Sequence, residues 1–334
     1  MSDVNQIVRI VAFGMVGLTW AAGAAMPDAS LPAALYADPP LDPTHPASGQ
    51  GIQFNSHGAT LNGQLYRPAG EGVHPTVVLL HGLPGNEQNL DLAQSMRRAG
   101  WTVITFHYRG SWGSGGRYTL NGGIADAKAL LDLLAQPASA QAWGVDPSRI
   151  VVVGHSYGGY VAARAASDAP GILGVVLLAP WDISFDTRAW ESLPQARRNA
   201  LALDEFKDAE GRLTGANTPS LLAEVMREGA QFDLTHLASA LATRYILIIT
   251  ADRDTDDDKA IGLLPALTQL HAQHETVQIF PSDHSFNDHR VALQAEVLRW
   301  LAALPGAPVS YTHLKSSSAA SIERTVTALL VIHV

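Results

Sequence analysis

The run Gly154-His155-Ser156-Tyr157-Gly158-Gly159 follows directly on Ile150-Val151-Val152-Val153. A β-branched run of that length reads as a buried strand, and the residues behind the serine suit a helix. G-x-S-x-G between a strand and a helix is the pattern of a nucleophile elbow, a sharp turn that pushes a serine hydroxyl out at the top of an α/β sheet. The glycines follow from sterics. The turn strains the serine backbone, and side chains at 154 and 158 would strike the neighbouring strand and helix. The chemistry on offer is acyl transfer with Ser156 as the nucleophile.

A serine hydroxyl attacks poorly unless a base takes its proton and an acid orients that base. On such a sheet the partners come in the order Ser, Asp/Glu, His. The acid is therefore sought just past Tyr245–Thr250, where Asp252, Asp254 and Asp256 compete. The base is His284, in Ser282-Asp283-His284-Ser285-Phe286 after the last strand. His289 is its rival, but it stands at the start of a helix that should face away from the strand ends. The developing alkoxide needs two N–H donors. Tyr157, next after the nucleophile, offers one. The loop His81-Gly82-Leu83-Pro84-Gly85 offers the other, from Leu83.

Trp112 and Trp181 are expected to line the substrate pocket. His155 and His107 read as supporting or structural groups. His271 and His274 read as an i,i+3 pair on a surface helix with no third ligand. With no H-E-x-x-H, no G-K-[ST] and no cysteine, neither a metal nor a cofactor is expected.

These residues need a scaffold. Strands are expected at Thr76–Leu80, Thr102–Phe106, Ile150–Val153, Gly174–Ala179, Tyr245–Thr250 and Thr276–Phe280, alternating with helices. Helical faces are marked by Leu92, Met96 and Ala99, by Ile124, Ala127, Leu131 and Leu134, and by Leu293, Val297, Trp300 and Leu304. The alternation predicts an α/β fold with a doubly wound, mostly parallel sheet. A hairpin over residues 52–66 precedes it. The rhythm breaks between Ala179 and Arg244. Residues 182–241 read as a small helical cap, inserted before the acid-bearing strand and above the strand ends, where open α/β sheets bind ligands.

Composition sets the outer bounds. The 334 residues are 47% apolar and 16% charged, enough for a sizeable core. A net charge of −9 without a basic run argues against nucleic-acid and anionic-membrane partners. No cysteine means no disulfide and no thiolate nucleophile. Residues 1–24 read as a cleaved signal peptide, with Arg9, an apolar run Ile10–Ala22 and Ala22-Gly23-Ala24 as the cleavage site. That run is short for a bilayer span, so the mature chain is expected to be exported, periplasmic or secreted, with no stable span. Residues 25–50 read as a Pro/Ala-rich lead-in, 51–304 as the catalytic domain, and 305–334 as a tail the domain does not need.

Together these motifs resemble the α/β-hydrolase superfamily. Within it, Gly154-x-Ser156-Tyr157-Gly158-Gly159 and Tyr108-Arg109-Gly110-Ser111 are similar to the catalytic domain of the prolyl oligopeptidase family, without its propeller. The resemblance spans roughly residues 50–304 by motif order. It implies a triad of Ser156, Asp254 and His284, and it selects Asp254 from the three aspartates. His81-Gly82-Leu83-Pro84-Gly85 is closer to the H-G-x-P-G of esterase- and epoxide-hydrolase-like members. Epoxide hydrolases and dehalogenases would carry aspartate at 156, and the dienelactone hydrolase branch usually carries cysteine. The resemblance therefore implies a serine hydrolase that cleaves carboxylic esters through an acyl-enzyme. A peptidase or aminoacyl hydrolase with the same machinery is the alternative, and a non-catalytic binding protein on the same fold is an alternative of another class. A small ester or short peptide is the expected partner.

Overall fold

A computed structural model of the chain describes residues 31–254 and 262–308. The expectations for residues 1–24, for Asp256 and for the chain beyond Pro308 lie outside the described residues. Eight strands form one sheet: Ser48–Ser56 (β1), Ala59–Arg67 (β2), His74–Leu80 (β3), Thr102–Phe106 (β4), Val145–His155 (β5), Ile172–Leu178 (β6), Tyr245–Ala251 (β7) and Glu275–Phe280 (β8). Their order is β1-β2-β4-β3-β5-β6-β7-β8. The hairpin β1–β2 joins β4 antiparallel, and every pairing from β4 onward is parallel. The expected doubly wound, mostly parallel sheet is the observed fold.

The helices are Leu90–Arg98 (α1), Leu120–Leu134 (α2), Pro137–Trp143 (α3), Tyr157–Asp168 (α4), Ile183–Glu191 (α5), Gln195–Glu205 (α6), Thr218–Glu228 (α7), Ala238–Leu241 (α8), Leu263–Gln269 (α9) and Arg290–Ala303 (α10). Local chemistry sets their ends. The Thr119 hydroxyl caps α2 by accepting from the Gly122 N–H, and Asn217 and Ser220 form a reciprocal capping box on α7. No described helix is long and apolar enough to cross a membrane.

The sheet is buried on both faces, which is why its central strands are runs of Val, Ile and Leu rather than alternating sequences. Val77, Leu79, Val103, Val151, Val153, Leu247 and Ile249 face one core with α1 and α10. Val78, Leu80, Ile104, Val152, Leu177, Ile246 and Ile248 face the other, with α2 and α4. That second core continues without a break into Ile183, Trp190, Phe206, Leu221 and Val225 of the segment between β6 and β7. The segment is helical, as its sequence indicated, and it is stitched to the body by backbone. Ser111 bridges Leu213, the Thr214 N–H donates to the Gly110 carbonyl (2.7 Å), and the Tyr118 N–H donates to the Thr214 carbonyl (3.0 Å).

Three details differ from expectation. The lead-in holds a short 3-10 turn at Ala33–Leu35 that packs on the core with α1 and α10, because Ala34 and Leu35 are apolar and Arg98 Nε donates to the Ala34 carbonyl (2.5 Å). α3 carries no periodic apolar face in the sequence and was not expected. His271 and His274 do not share a helix. α9 ends at Gln269, His271 takes a positive φ of 53°, and His274 stacks on Tyr245 with ring centroids 4.4 Å apart.

Candidate active site

Ser156 sits between β5 and α4 with φ 56° and ψ −123°. That conformation costs on the order of 1–3 kcal/mol for a non-glycine residue. Its neighbours over-determine it. The Ser156 N–H donates to the Leu178 carbonyl (2.9 Å), and the Ser156 carbonyl accepts from the N–H groups of Gly159 (2.8 Å) and Trp181 (3.0 Å). The glycines are sterically required. A Cβ at Gly154 would lie 1.9 Å from the Gly158 carbonyl oxygen, and one at Gly158 would lie 2.4 Å from that of Leu80. The elbow is therefore wedged between the end of β3 and the first turn of α4.

The loop after β3 passes beside the serine. A Cβ on Gly82 would approach Ser156 Cβ to 3.0 Å and Oγ to 3.5 Å. Among the described residues, neither the Leu83 N–H nor the Tyr157 N–H donates to another group. The Tyr157 amide also opens α4, so it carries the positive end of that helix. Beneath this loop His81 is fully buried. Its Nδ1–H donates to the Gly82 carbonyl (2.7 Å), and its Nε2 lies 3.4 Å from His107 Nδ1. Burial pushes His81 down to about 4 and lowers His107 as well, so both rings are neutral struts at ordinary pH.

The structure brings Asp254 and His284 together. His284 Nδ1 lies 2.6 Å from Asp254 Oδ2, with the Asp254 side chain 5% exposed and that of His284 33% exposed. An Nδ1–H donated to the carboxylate makes Nε2 the acceptor nitrogen of the ring, the tautomer that a base requires. Asp252 points elsewhere. It is exposed, and its N–H extends the β7–β8 ladder by donating to the Phe280 carbonyl (2.9 Å). His289 pairs with Asp288 at the foot of α10, Nδ1 to Oδ1 3.0 Å. His155 anchors the base loop to the elbow, since its Nε2–H donates to the His284 carbonyl (2.9 Å) and the two rings lie 4.9 Å apart. Burial pushes His155 down to about 3.

Sequence reasoning missed the groups that hold these loops. Asp288 accepts from Ser282 Oγ (2.5 Å) and from Arg253, clasping the acid loop to the base loop. Asp126, wholly buried, accepts from Ser56 Oγ (2.6 Å) and the Arg109 N–H (2.8 Å), with Arg109 Nε 2.7 Å away. It ties Ser56, at the end of β1, to Arg109, and burial raises its carboxyl above the usual range. No local signal marks these contacts, because the groups joined are 17 to 70 positions from Asp126 and, for the clasp of Ser282 and Arg253, 6 and 35 from Asp288.

The two tryptophans differ. Trp112 is 42% exposed and leans over the β3 loop, its Nε1–H donating to the Pro84 carbonyl (2.6 Å). Trp181 is buried, with Nε1–H donated to Asp186 Oδ2 of α5 (2.7 Å). Trp112 is thus tied to the β3 loop, whereas Trp181 joins the elbow to the helical segment.

A serine on a strained turn, an imidazole–carboxylate pair and two amides that donate to no described group, all just past strands of the sheet, suit transfer of an acyl group through a tetrahedral intermediate. Comparison with known proteins points the same way. A family model described as the alpha/beta hydrolase family matches residues 77–297. An uncharacterised protein of Mycobacterium tuberculosis is 29% identical over 180 residues, 53% of this chain and 60% of that protein. Quorum-quenching protein AidA of Acinetobacter baumannii is 31% identical over 171 residues, 49% of this chain and 54% of AidA. The chain thus matches little more than half the length of these relatives. Among solved structures, the Pyrococcus horikoshii acylaminoacyl peptidase superposes with a TM-score of 0.57 at 17% identity, covering 77% of this chain and 42% of that one. The Pyrococcus furiosus esterase Pf2001 gives 0.54 at 17% identity, covering 78% and 92%. At such identities these structures share the fold.

Proposed function

The chain belongs to the alpha/beta hydrolase family, and from that premise we propose that it is a serine hydrolase that cleaves carboxylic esters. The observation that carries the reading is the strained Ser156 at the end of β5, beside two unengaged amides, on the same sheet edge as the His284–Asp254 pair at 2.6 Å. In the proposed reaction Ser156 Oγ attacks the acyl carbon and its proton passes to His284 Nε2. The Leu83 and Tyr157 N–H groups receive the negative oxygen. His284 then returns the proton to the departing alkoxide, leaving an acyl-enzyme. Water, deprotonated by the same imidazole, attacks that ester, and collapse frees the acid and Ser156. Asp254 holds the imidazole tautomer throughout.

Resemblance to an acylaminoacyl peptidase in fold, together with Ser156-Tyr157-Gly158-Gly159, favours a second reading, hydrolysis of aminoacyl or peptide bonds by the same residues. Two experiments separate the readings. Turnover of p-nitrophenyl esters is expected to exceed that of aminoacyl p-nitroanilides, and the reverse order would favour the peptidase. A fluorophosphonate probe is expected to label the wild type and not Ser156→Ala. A folded wild type that stays unlabelled would point to a non-catalytic binding protein instead. Export after loss of residues 1–24 belongs to the same proposal, and N-terminal sequencing of the mature protein tests it.

A further inference from the structure

Glu224 lies on α7, in the helical segment between β6 and β7, and is only 6% exposed. It makes no ion pair with a cation among the described residues. Its two carboxylate oxygens instead accept from the first two amides of α2, Leu120 N–H (3.1 Å) and Asn121 N–H (3.1 Å). A carboxylate at that place meets both the unpaired amides and the positive end of the helix. Glu228, one turn on, takes the Asn121 side chain. So α7 grips α2 by its N-terminus.

The same turn of α2 is bound to the elbow. The Leu120 carbonyl accepts from the Tyr157 hydroxyl, a buried contact. The turn closes directly over the Tyr157 ring. A Cβ at Gly123 would lie 2.3 Å from the Tyr157 hydroxyl oxygen. Tyr108 and Tyr118 enclose the ring from the other sides, with centroids 5.6 and 6.5 Å away. The Tyr157 side chain is thus fixed at its far end, and its backbone N–H is one of the two amides assigned to the oxyanion.

We infer that Glu224 is a positioning residue for the oxyanion donor: it holds the first turn of α2, and through the Tyr157 hydroxyl that turn sets the Tyr157 amide beside Ser156. The inference rests on the serine-hydrolase reading for its effect on rate. It makes the helical segment part of the catalytic geometry as well as a cover. A donor displaced by a fraction of an ångström loses strength toward the tetrahedral oxygen and hardly affects ground-state binding.

The test compares Glu224→Gln, Tyr157→Phe and the double variant. Glu224→Gln keeps the size and one acceptor, and Tyr157→Phe keeps the ring. Each single change is expected to lower kcat about tenfold, the upper scale of one hydrogen bond, with KM within about twofold. The double variant is expected to lose no more than the worse single one, since both act along one path. Hydrogen exchange supplies a readout independent of turnover: Glu224→Gln should speed exchange in residues 120–123 and also in 156–162. Faster exchange confined to 120–123, or additive losses in kcat, would overturn the coupling. A purely structural role would lower the melting temperature and leave kcat and exchange at 156–162 unchanged. An unlabelled wild type in the fluorophosphonate assay would count against the hydrolase reading, whereas a labelled wild type with uncoupled segments would count against Glu224.

Discussion

The nucleophile elbow and the helical segment above it are held in place by different forces. At the elbow, close backbone excludes side chains: Gly154 and Gly158 lie where any side chain would enter the neighbouring carbonyls, and Ser156 between them holds a φ of 56°. In the segment between β6 and β7, buried carboxylates grip amides and indoles. Asp182 accepts from the Ser184 N–H (3.0 Å) and the Leu234 N–H (3.1 Å), Asp186 takes Trp181, and Glu224 takes α2. Exclusion of that kind tolerates no substitution. A hydrogen-bonded seam has intermediate strengths and can be retuned. Under the proposed function, the nucleophile therefore rests on the rigid device and the helical segment on the adjustable one.

The largest effect that could break this contrast lies in the strand-end loops. Asp254→Asn is expected to lower kcat about 10,000-fold, while Asp252→Asn changes it by about twofold at most, as suits an exposed side chain outside the pair. Steady-state kinetics on a p-nitrophenyl ester measures both, and comparable losses would remove the assignment. Next come the stabilities of the two regions. Gly158→Ala is expected to cost more than about 3 kcal/mol, and Asp182→Asn about 1–2 kcal/mol because only part of its hydrogen bonding is lost. Urea unfolding ranks them, and a larger cost for Asp182→Asn would invert the comparison.

A third contrast is in the pH dependence. Burial holds His81 at about 4 and His155 at about 3, below the ordinary 6.5. Their contribution to stability is complete above pH ~6.5 and is lost as the pH falls from there toward 4, at up to about 1.4 kcal/mol per pH unit for each. Burial raises Asp182 and Asp126, and a raised carboxyl works in the opposite sense, gaining stability as pH falls through its raised value. That opposition enters only near the low end of the window. Acid should thus loosen the strand-end side first. Melting temperatures between pH 7.5 and 5 should fall, with a shallower fall in His81→Gln; a flat profile would contradict this.

Legibility followed the same division. The strands were readable because residues buried on both faces must be apolar throughout, as in Val151, Val152 and Val153. The elbow was readable because its constraint is local, within five residues. The choice among Asp252, Asp254 and Asp256 could not be made from spacing alone, since all three follow Tyr245–Thr250 within a few residues and the contact that marks Asp254 is with His284, 30 positions on. His271 and His274 show the opposite hazard: an i,i+3 spacing mimics a helix that in fact stops at Gln269. Trp112 and Trp181 look alike in sequence, yet one is half-open over the β3 loop and the other is sealed against Asp186.

By itself the sequence determined the order of strands and helices, the turn that holds Ser156, and the place of the helical insertion, because apolar runs and glycine sterics act over a few residues. Tertiary structure alone decided which aspartate meets His284, how Asp288 and Asp126 brace their loops, and that Glu224 on α7 reaches the first turn of α2. Those contacts join groups as far as 104 positions apart, and only the packed sheet determines which distant donor meets which acceptor.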